Sequence, residues 1–352
     1  MSLQNALKSV QLKKQTQQNS TENNLNGFFT EQELRDGQKQ VLEVNIENWI
    51  ELLESKNLTF PTKFVSISIQ EAKSLKECCE QQKKYGKIEE NKLSELNDLK
   101  KKLNQEIKDL LSNSKFNQDG IFMKMSSRSA KDAIEFHPNF PIFYKNQLLD
   151  LKKPFKDISE NEKLFALIEA SKNCLKVKNA DDIIFLVTHS DRIWMDMSIA
   201  LENIDIFNES FVLRTWFDID ADLEFRGYVF NNNLNALSQY FQYFSSPRLV
   251  EQKEEIQKII LNFFENEVKP CLSTKFTNYV IDFCIAKEPK NQPFVIELNA
   301  FHFSDTCLFN WAKDQELFKN GPFEFRITEK PRSGAKAELE KSWKELIETV
   351  KI

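Results

Sequence analysis

Two runs near the C-terminal end carry the strand signal most clearly. Tyr279-Val-Ile-Asp-Phe-Cys-Ile-Ala286 and Pro293-Phe-Val-Ile-Glu-Leu-Asn-Ala300 are apolar, rich in β-branched and aromatic residues, and flanked by turn-forming residues. The linker between them, Lys287-Glu-Pro-Lys-Asn-Gln292, is short and polar. A hairpin folded about Pro289 and Lys290 sets Asp282 opposite Glu297. Strand side chains alternate between faces, so Glu297 and Asn299 share a face and Asp282 joins them from the neighbouring strand. The same criterion predicts strands within 60–69, 120–125 and 211–217, and a hairpin of 223–230 with 234–240 about Asn231-Asn-Asn233, where Asn tolerates left-handed turns. Leu96, Leu99, Leu103, Ile107 and Leu110 keep helical spacing in the charged stretch 71–112, which predicts a long helix or helix pair packed by one stripe. Further helices are expected at 45–58, 160–176, 248–269 and 335–350. Residues 1–40, polar and rich in Gln, Asn, Lys and Ser, are expected to be a disordered arm despite Phe28-Phe29.

Composition narrows the function classes. The chain of 352 residues is 41% hydrophobic and can bury a sizeable core. A formal net charge of −5 provides no global basic field, which argues against a general nucleic-acid or anionic-membrane binder. There is no apolar run long enough to span a bilayer, and the first residues lack the apolar core of a secretory signal, so a cytoplasmic protein is expected. The 6 cysteines include no C-x-x-C pair and read as free thiols in a reducing compartment, and the 3 histidines are dispersed. With 7 glycines and neither a G-x-x-x-x-G-K-[ST] nor a G-x-G-x-x-G sequence, P-loop and Rossmann readings fail.

Four groups of residues can carry chemistry. Asp282, Glu297 and Asn299 would bring oxygen donors together in apolar surroundings, where paired carboxylates repel unless a hard cation such as Mg²⁺ joins them. Two opposed acids also suit a wetted sheet face. Lys124 interrupts the apolar run Ile121–Met125 and either reaches an edge or neutralises an anion. Ser126-Ser-Arg-Ser129 and Lys131 follow it as a phosphate-facing loop or an ordinary polar turn, with Asp132 a cap or ion-pair partner. Arg214 and Trp216 share one strand face, as do Glu224 and Arg226, and both pairs fit nucleotide recognition or an exposed edge. Together, metal acids on one hairpin and cations on other strands suggest a nucleoside triphosphate between two lobes.

Five separated stretches, in order, resemble the cell division cycle protein 123 family: Val212-Leu-Arg-Thr-Trp216, Leu223-Glu-Phe-Arg-Gly-Tyr-Val229, Asn233-Leu-Asn-Ala-Leu-Ser-Gln239, Val295-Ile-Glu-Leu-Asn-Ala-Phe301 and Asp305-Thr-Cys-Leu-Phe-Asn-Trp311. Lys124 to Asp132 is similar to that family's earlier lysine motif, and the likeness runs from about Phe60 to Trp311. The resemblance implies an α+β, two-lobed ATP-grasp-like fold with mostly antiparallel sheets and a nucleotide cleft. It divides the chain into an arm at 1–40, an N-terminal lobe at 41–210, an ATP-grasp lobe at 211–330 and a C-terminal helix at 331–352. It implies ATP and Mg²⁺ as cofactors. Lys124 and Arg226 would face phosphates, Arg214, Thr215 and Trp216 would line the adenine pocket, and Asp282, Glu297 and Asn299 would bind metal. The implied role is that of a chaperone: assembly of the heterotrimeric translation initiation factor two, through its gamma subunit. The protein would be a monomer, without membrane or direct nucleic-acid contact. The chain departs from the family at Ser126-Ser-Arg128, where Asn-Trp-Ser is usual, and at Glu297, where Asp is usual. An ATP-dependent ligase or kinase using the same site is the alternative, motivated by the altered loop at Ser126 to Arg128; that no nucleophile or general base is evident favours the binding role.

Overall fold

The computed structural model describes residues 42–350 except 115, 117, 118, 287–290, 302 and 303. The expected arm at 1–40 and the tip of the second hairpin therefore lie outside the described residues. Among the described residues the strands run β1 (Thr62–Ser66), β2 (Ile121–Met125), β3 (Lys176–Val177), β4 (Ser210–Thr215), β5 (Glu224–Phe230), β6 (Asn233–Gln239), β7 (Tyr279–Ile285), β8 (Pro293–Ala300) and β9 (Glu324–Arg326). The longer helices are α1 (Ile69–Tyr85), α2 (Asn97–Leu111), α3 (Phe140–Asp150), α4 (Glu160–Asn173), α5 (Ala180–Thr188), α6 (Asp191–Glu202), α7 (Lys253–Phe263) and α8 (Lys341–Thr349). The architecture is α+β, with two sheets that are antiparallel except where β9 joins β6 in parallel.

The first sheet has the order β1-β4-β2-β3. One face packs under α1 to α6, and its core takes in Leu96, Leu99, Leu103, Ile107 and Leu110, so the stripe in the charged segment is buried within its own lobe. That segment forms α1, a short helix at Glu90–Glu95, and α2. The breaks are chemical: Ser68 and Glu71 make a reciprocal cap that starts α1, and Gly86, at φ 67°, ends it in the left-handed region. The C-terminal helix α8 returns to this lobe, with Ile347 in its core and Trp343 edge-on to Phe140. β4, assigned to the second lobe by the sequence reading, is a fully buried inner strand of the first sheet.

The second sheet has the order β8-β7-β5-β6-β9. Its two faces follow the period of two. Phe225, Val229, Leu237, Ile281, Phe283 and Phe325 face a core built with α7 and the turn around Trp49. Gly227 lies on that face because a Cβ there would come within 2.7 Å of Leu234 Cδ1. The opposite face holds a row in register across all five strands: Glu297, Asp282, Arg226, Ser238 and Arg326. The β5–β6 turn uses Asn231 and Asn232 at φ 48° and 61°, as the sequence leads one to expect. The helix expected at 248–269 is interrupted: a short helix precedes α7, a π-turn at Phe264–Val268 follows it, and Pro270 sits just beyond.

One joint fastens the two sheets. Arg214, buried on β4, donates to Thr59 Oγ1 at 2.6 Å, to the Ile296 carbonyl at 2.5 Å and to Thr62 Oγ1 at 3.3 Å. Thr59 in turn donates to the Val295 carbonyl at 2.7 Å. Ile296 is the extra residue of a β-bulge, because the pairing slips by one between Asp282–Glu297 and Phe283–Val295. Arg214 therefore caps the carbonyl that the bulge leaves without a ladder partner.

Candidate functional site

A cleft of about 700 Å³ opens between the sheets, lined from the first lobe by Arg128, Lys131, Arg192 and Asp196 and from the second by Arg226, Tyr240, Glu297 and Asn299. From the polar row of the second sheet, Arg226 and Glu297 form its floor, with Asp282 buried between them. Arg226 holds both oxygens of Asp282 at 2.8 Å in a buried fork, and Asn299 donates to Asp282 at 3.2 Å from the next strand. Arg226 also donates to the Asp305 carbonyl at 3.1 Å, which pins the loop after β8. Burial opposes the Arg226 charge, yet Asp282 more than offsets it and holds the guanidinium more firmly protonated than usual. Lys124 crosses from β2 to Glu297 at 2.5 Å. Burial also opposes ionisation of Glu297, but Lys124, and behind it Lys131 and Arg192, draw the carboxyl down to about 2.

The cleft wall above this floor carries surplus positive charge. Lys131 donates to Tyr240 Oη at 3.1 Å, and the Arg226 guanidinium lies 4.9 Å from the centre of the Tyr240 ring. Arg192 projects from the first turn of α6, and its Nε is buried without a partner among the described residues. Burial and the nearby Arg128 both lower its proton affinity. Asp132 accepts from Ser190 Oγ at 2.6 Å and the Arg192 amide at 3.0 Å, so it caps α6 and orients it. Arg128 turns away from the floor and forks onto Asp196 of the same helix, which also accepts from Ser127.

The other end of the cleft is acidic. Glu47, Asp196 and Glu209 line it with Asn45. Ser126 donates to Glu47 Oε1, while Glu47 Oε2, Glu209 Oε2 and Asn45 Oδ1 are buried without partners. Burial, with Asp196 and Glu47 adding repulsion, pushes the Glu209 carboxyl up to about 8.

Of the residues singled out in sequence, the structure gathers Lys124, Arg226, Asp282, Glu297 and Asn299 into one bonded cluster. Among the described residues no three His, Cys, Asp or Glu side chains group as a metal set. Arg214 is held in the joint between the sheets. The Thr215 amide donates to the Pro61 carbonyl at 3.1 Å, and Trp216 lines a separate polar cleft of about 230 Å³ under Lys176. Sequence reasoning missed Arg192, Tyr240 and Glu209. Arg192 and Asp196, spaced by one helical turn, were the available signal. Cys307 also borders the cleft, but burial pushes its thiol up to about 12, which disqualifies it as a nucleophile.

An α+β protein with a polar cleft between two sheets is the class this geometry defines. A family model described as D123 matches residues 166–347, more than half of the chain. The chain belongs to the D123 family, that of cell division cycle protein 123. Its relatives include the translation initiation factor eIF2 assembly protein of Vanderwaltozyma polyspora, 27% identical over 183 residues, which are 46% of this chain and 47% of that protein. The protein of the same name from Xenopus tropicalis is 30% identical over 151 residues, 40% of this chain and 43% of that one. These matches thus span less than half of each assembly protein. A CDC123-like protein of Acanthamoeba polyphaga mimivirus is 26% identical over 313 residues, covering 84% of this chain and 77% of the viral one. The structure of Cdc123 from Schizosaccharomyces pombe superposes with a TM-score of 0.56 at 20% identity, over 82% of this chain and 97% of that one, and the fold is what the two share. No helix among the described residues is long and apolar enough to cross a membrane.

Proposed function

We propose that this protein takes part in assembling translation initiation factor eIF2 and that it binds Mg-ATP in the cleft, in an ATP-grasp-like arrangement, as it engages the gamma subunit. The assembly role is supported by the names of its relatives. Nucleotide binding is supported by one observation: the floor pairs two carboxylates with two cations, while Lys131 and Arg192 stand above it with no carboxylate of their own among the described residues.

The donor set fits the group. A carboxylate offers about four lone-pair directions, and the Arg226 fork and Asn299 leave Asp282 able to accept one more bond. Asp282, Glu297 and Asn299 would hold Mg²⁺, a hard cation that takes oxygen ligands. The bound metal would supply charge neutralisation for the phosphates. Lys124 and Arg226 would then shift part of their bonding from the carboxylates to phosphate oxygens. Lys131 and Arg192 would meet the remaining negative charge. The cleft volume lies within the range of small-molecule sites, roughly 300–1,000 Å³. Glu297 is one methylene longer than Asp, and the bulge at Ile296 sets where its carboxyl starts.

Titration of the full chain with ATP and Mg²⁺ by calorimetry tests this reading. Binding that needs both components and weakens at least tenfold in Arg192→Ala supports it; no heat of binding removes the nucleotide assignment. Co-purification of the purified gamma subunit with the chain, stronger with Mg-ATP than without, supports the assembly role. Multiple turnover of ATP to ADP or AMP that requires an acceptor from a cell extract would point instead to a group-transfer enzyme.

A further inference from the structure

The two ends of the cleft carry opposite charge, and the Mg-ATP reading uses only one. The acidic end is built from three elements: Glu47 on the turn preceding the first sheet, Asp196 on α6, and Glu209 on the segment entering β4. Glu209 is 7% exposed, lines the cavity, and has a carboxylate oxygen without any partner among the described residues. Asn45 Oδ1 and Glu47 Oε2 are in the same condition. Buried acceptors of this kind are normally bonded, and leaving them bare is costly. The one cation paired with these acids is Arg128, and it is committed to Asp196. The free acceptors therefore await a donor that the described residues do not supply.

The kind of donor follows from spacing and lining. Among the described residues these acids do not gather into a set of three metal ligands. A guanidinium presents five N–H donors in a flat fork and spans acceptors that are further apart. Leu42, Val44, Met195, Ile199 and Phe207, neighbours in sequence of Asn45, Glu47, Asp196 and Glu209, also line the cleft. Such a wall suits an aliphatic stem carrying a charged tip. We infer that the acidic end of the cleft is a binding site for a guanidinium group on an aliphatic stem, that is, an arginine side chain of a partner polypeptide or a free guanidino compound.

The proton on Glu209 gives the site a signature. Glu47 and Asp196 face this carboxyl, and its raised proton affinity keeps it largely protonated at neutral pH. A guanidinium stays charged throughout that range, so its binding must expel the proton.

Calorimetry on the full chain at pH 7, in two buffers of different ionisation heat, tests this with Nα-acetyl-arginine methylamide, agmatine and Nα-acetyl-citrulline methylamide. The arginine probe should bind with net proton release, and the uncharged citrulline probe at least tenfold more weakly. Glu209→Gln should abolish proton release and weaken binding at least tenfold; Glu47→Gln should also weaken binding while keeping proton release. Binding of agmatine equal to that of the arginine probe assigns the site to free guanidino compounds, and a clear preference for the amide-blocked probe assigns it to a polypeptide. No binding of either guanidino probe, equal binding of citrulline, or binding unchanged in both variants overturns the inference. Nucleotide is absent from the measurement, so its failure leaves the Mg-ATP reading standing.

Discussion

The sheet end and the helix end of the cleft treat buried charge in opposite ways. On the sheet, Asp282 faces Arg226 and Glu297 faces Lys124, each pair hydrogen-bonded and shielded from water. At the helix end, Glu209 and Glu47 hold oxygens with no donor among the described residues. Taking a carboxylate out of water is unfavourable unless a partner replaces the lost hydration. The paired end therefore contributes order to the fold, whereas the unpaired end carries the cost of desolvated acceptors, which the inferred guanidinium would offset. A second lesson concerns Asp282. A residue that would hold metal also holds Arg226, so its substitution alters the fold and the site together.

Variants can separate the two behaviours. Arg226→Met should have the largest effect, because it strands Asp282 as a buried charge with only Asn299 for company. Loss of one partner of a buried pair costs about 3–5 kcal/mol, which urea unfolding would detect. A loss below about 1 kcal/mol would show that the pair is not what holds the floor. Arg214→Met should follow at roughly 2–3 kcal/mol, since the Ile296 carbonyl and the Thr59 hydroxyl lose their donor. Faster hydrogen exchange at the Val295 amide, which bonds the Leu58 carbonyl, would locate the damage at the joint.

Arg192→Ala should leave unfolding free energy within about 1 kcal/mol, since its Nε has no partner and its side chain no carboxylate partner among the described residues. Its effect belongs to binding: a tenfold or greater loss of Mg-ATP affinity, about 1.4 kcal/mol. An unchanged affinity would confine the positive wall to a structural role.

The most diagnostic effect at the acidic end is a difference between two pH values. In the folded chain Glu209 keeps its proton up to about pH 8, whereas in the unfolded chain it loses it in the ordinary carboxylate range. Between those limits the unfolded chain binds fewer protons, so stability falls as pH rises. Glu209→Gln removes that penalty. It should stabilise the chain by several kcal/mol at pH 9, since each unit between the two ranges is worth about 1.4 kcal/mol, and change little at pH 4, read from thermal unfolding at both values. Equal effects at both values would mean that Glu209 is not held protonated.

Much of the sheet end was legible in the sequence because strand geometry is periodic. Counting outward from the turn is enough to bring Asp282 and Glu297 face to face, and the observed register agrees. The bulge at Ile296 was not legible, since an extra residue within a strand leaves no mark on composition. Nor was the Arg226–Asp282 pair. It joins residues 56 apart in sequence and depends on β5 and β7 being neighbours, which topology decides. The polar helix end was hidden more deeply. Glu209 looks like a loop acid and Arg192 like a helix-surface cation, until α6, β4 and the turn at Glu47 converge on one cavity. The π-turn after α7 is another case: Ile256, Ile260 and Phe263 follow a helical stripe, and nothing in that stripe announces the change of pitch at Phe264.

Arg214 has a mechanical consequence. Fastened at one margin to Thr59 and Ile296, the two sheets cannot separate there without losing those bonds, and at the cleft floor Lys124 and Glu297 tie them a second time. A breathing motion that loosens this second tie would swing about the Arg214 rivet, with its widest travel at the far rim. Guests would accordingly come and go on that side, and a clamp built this way could tighten on its cargo while its spine stays still.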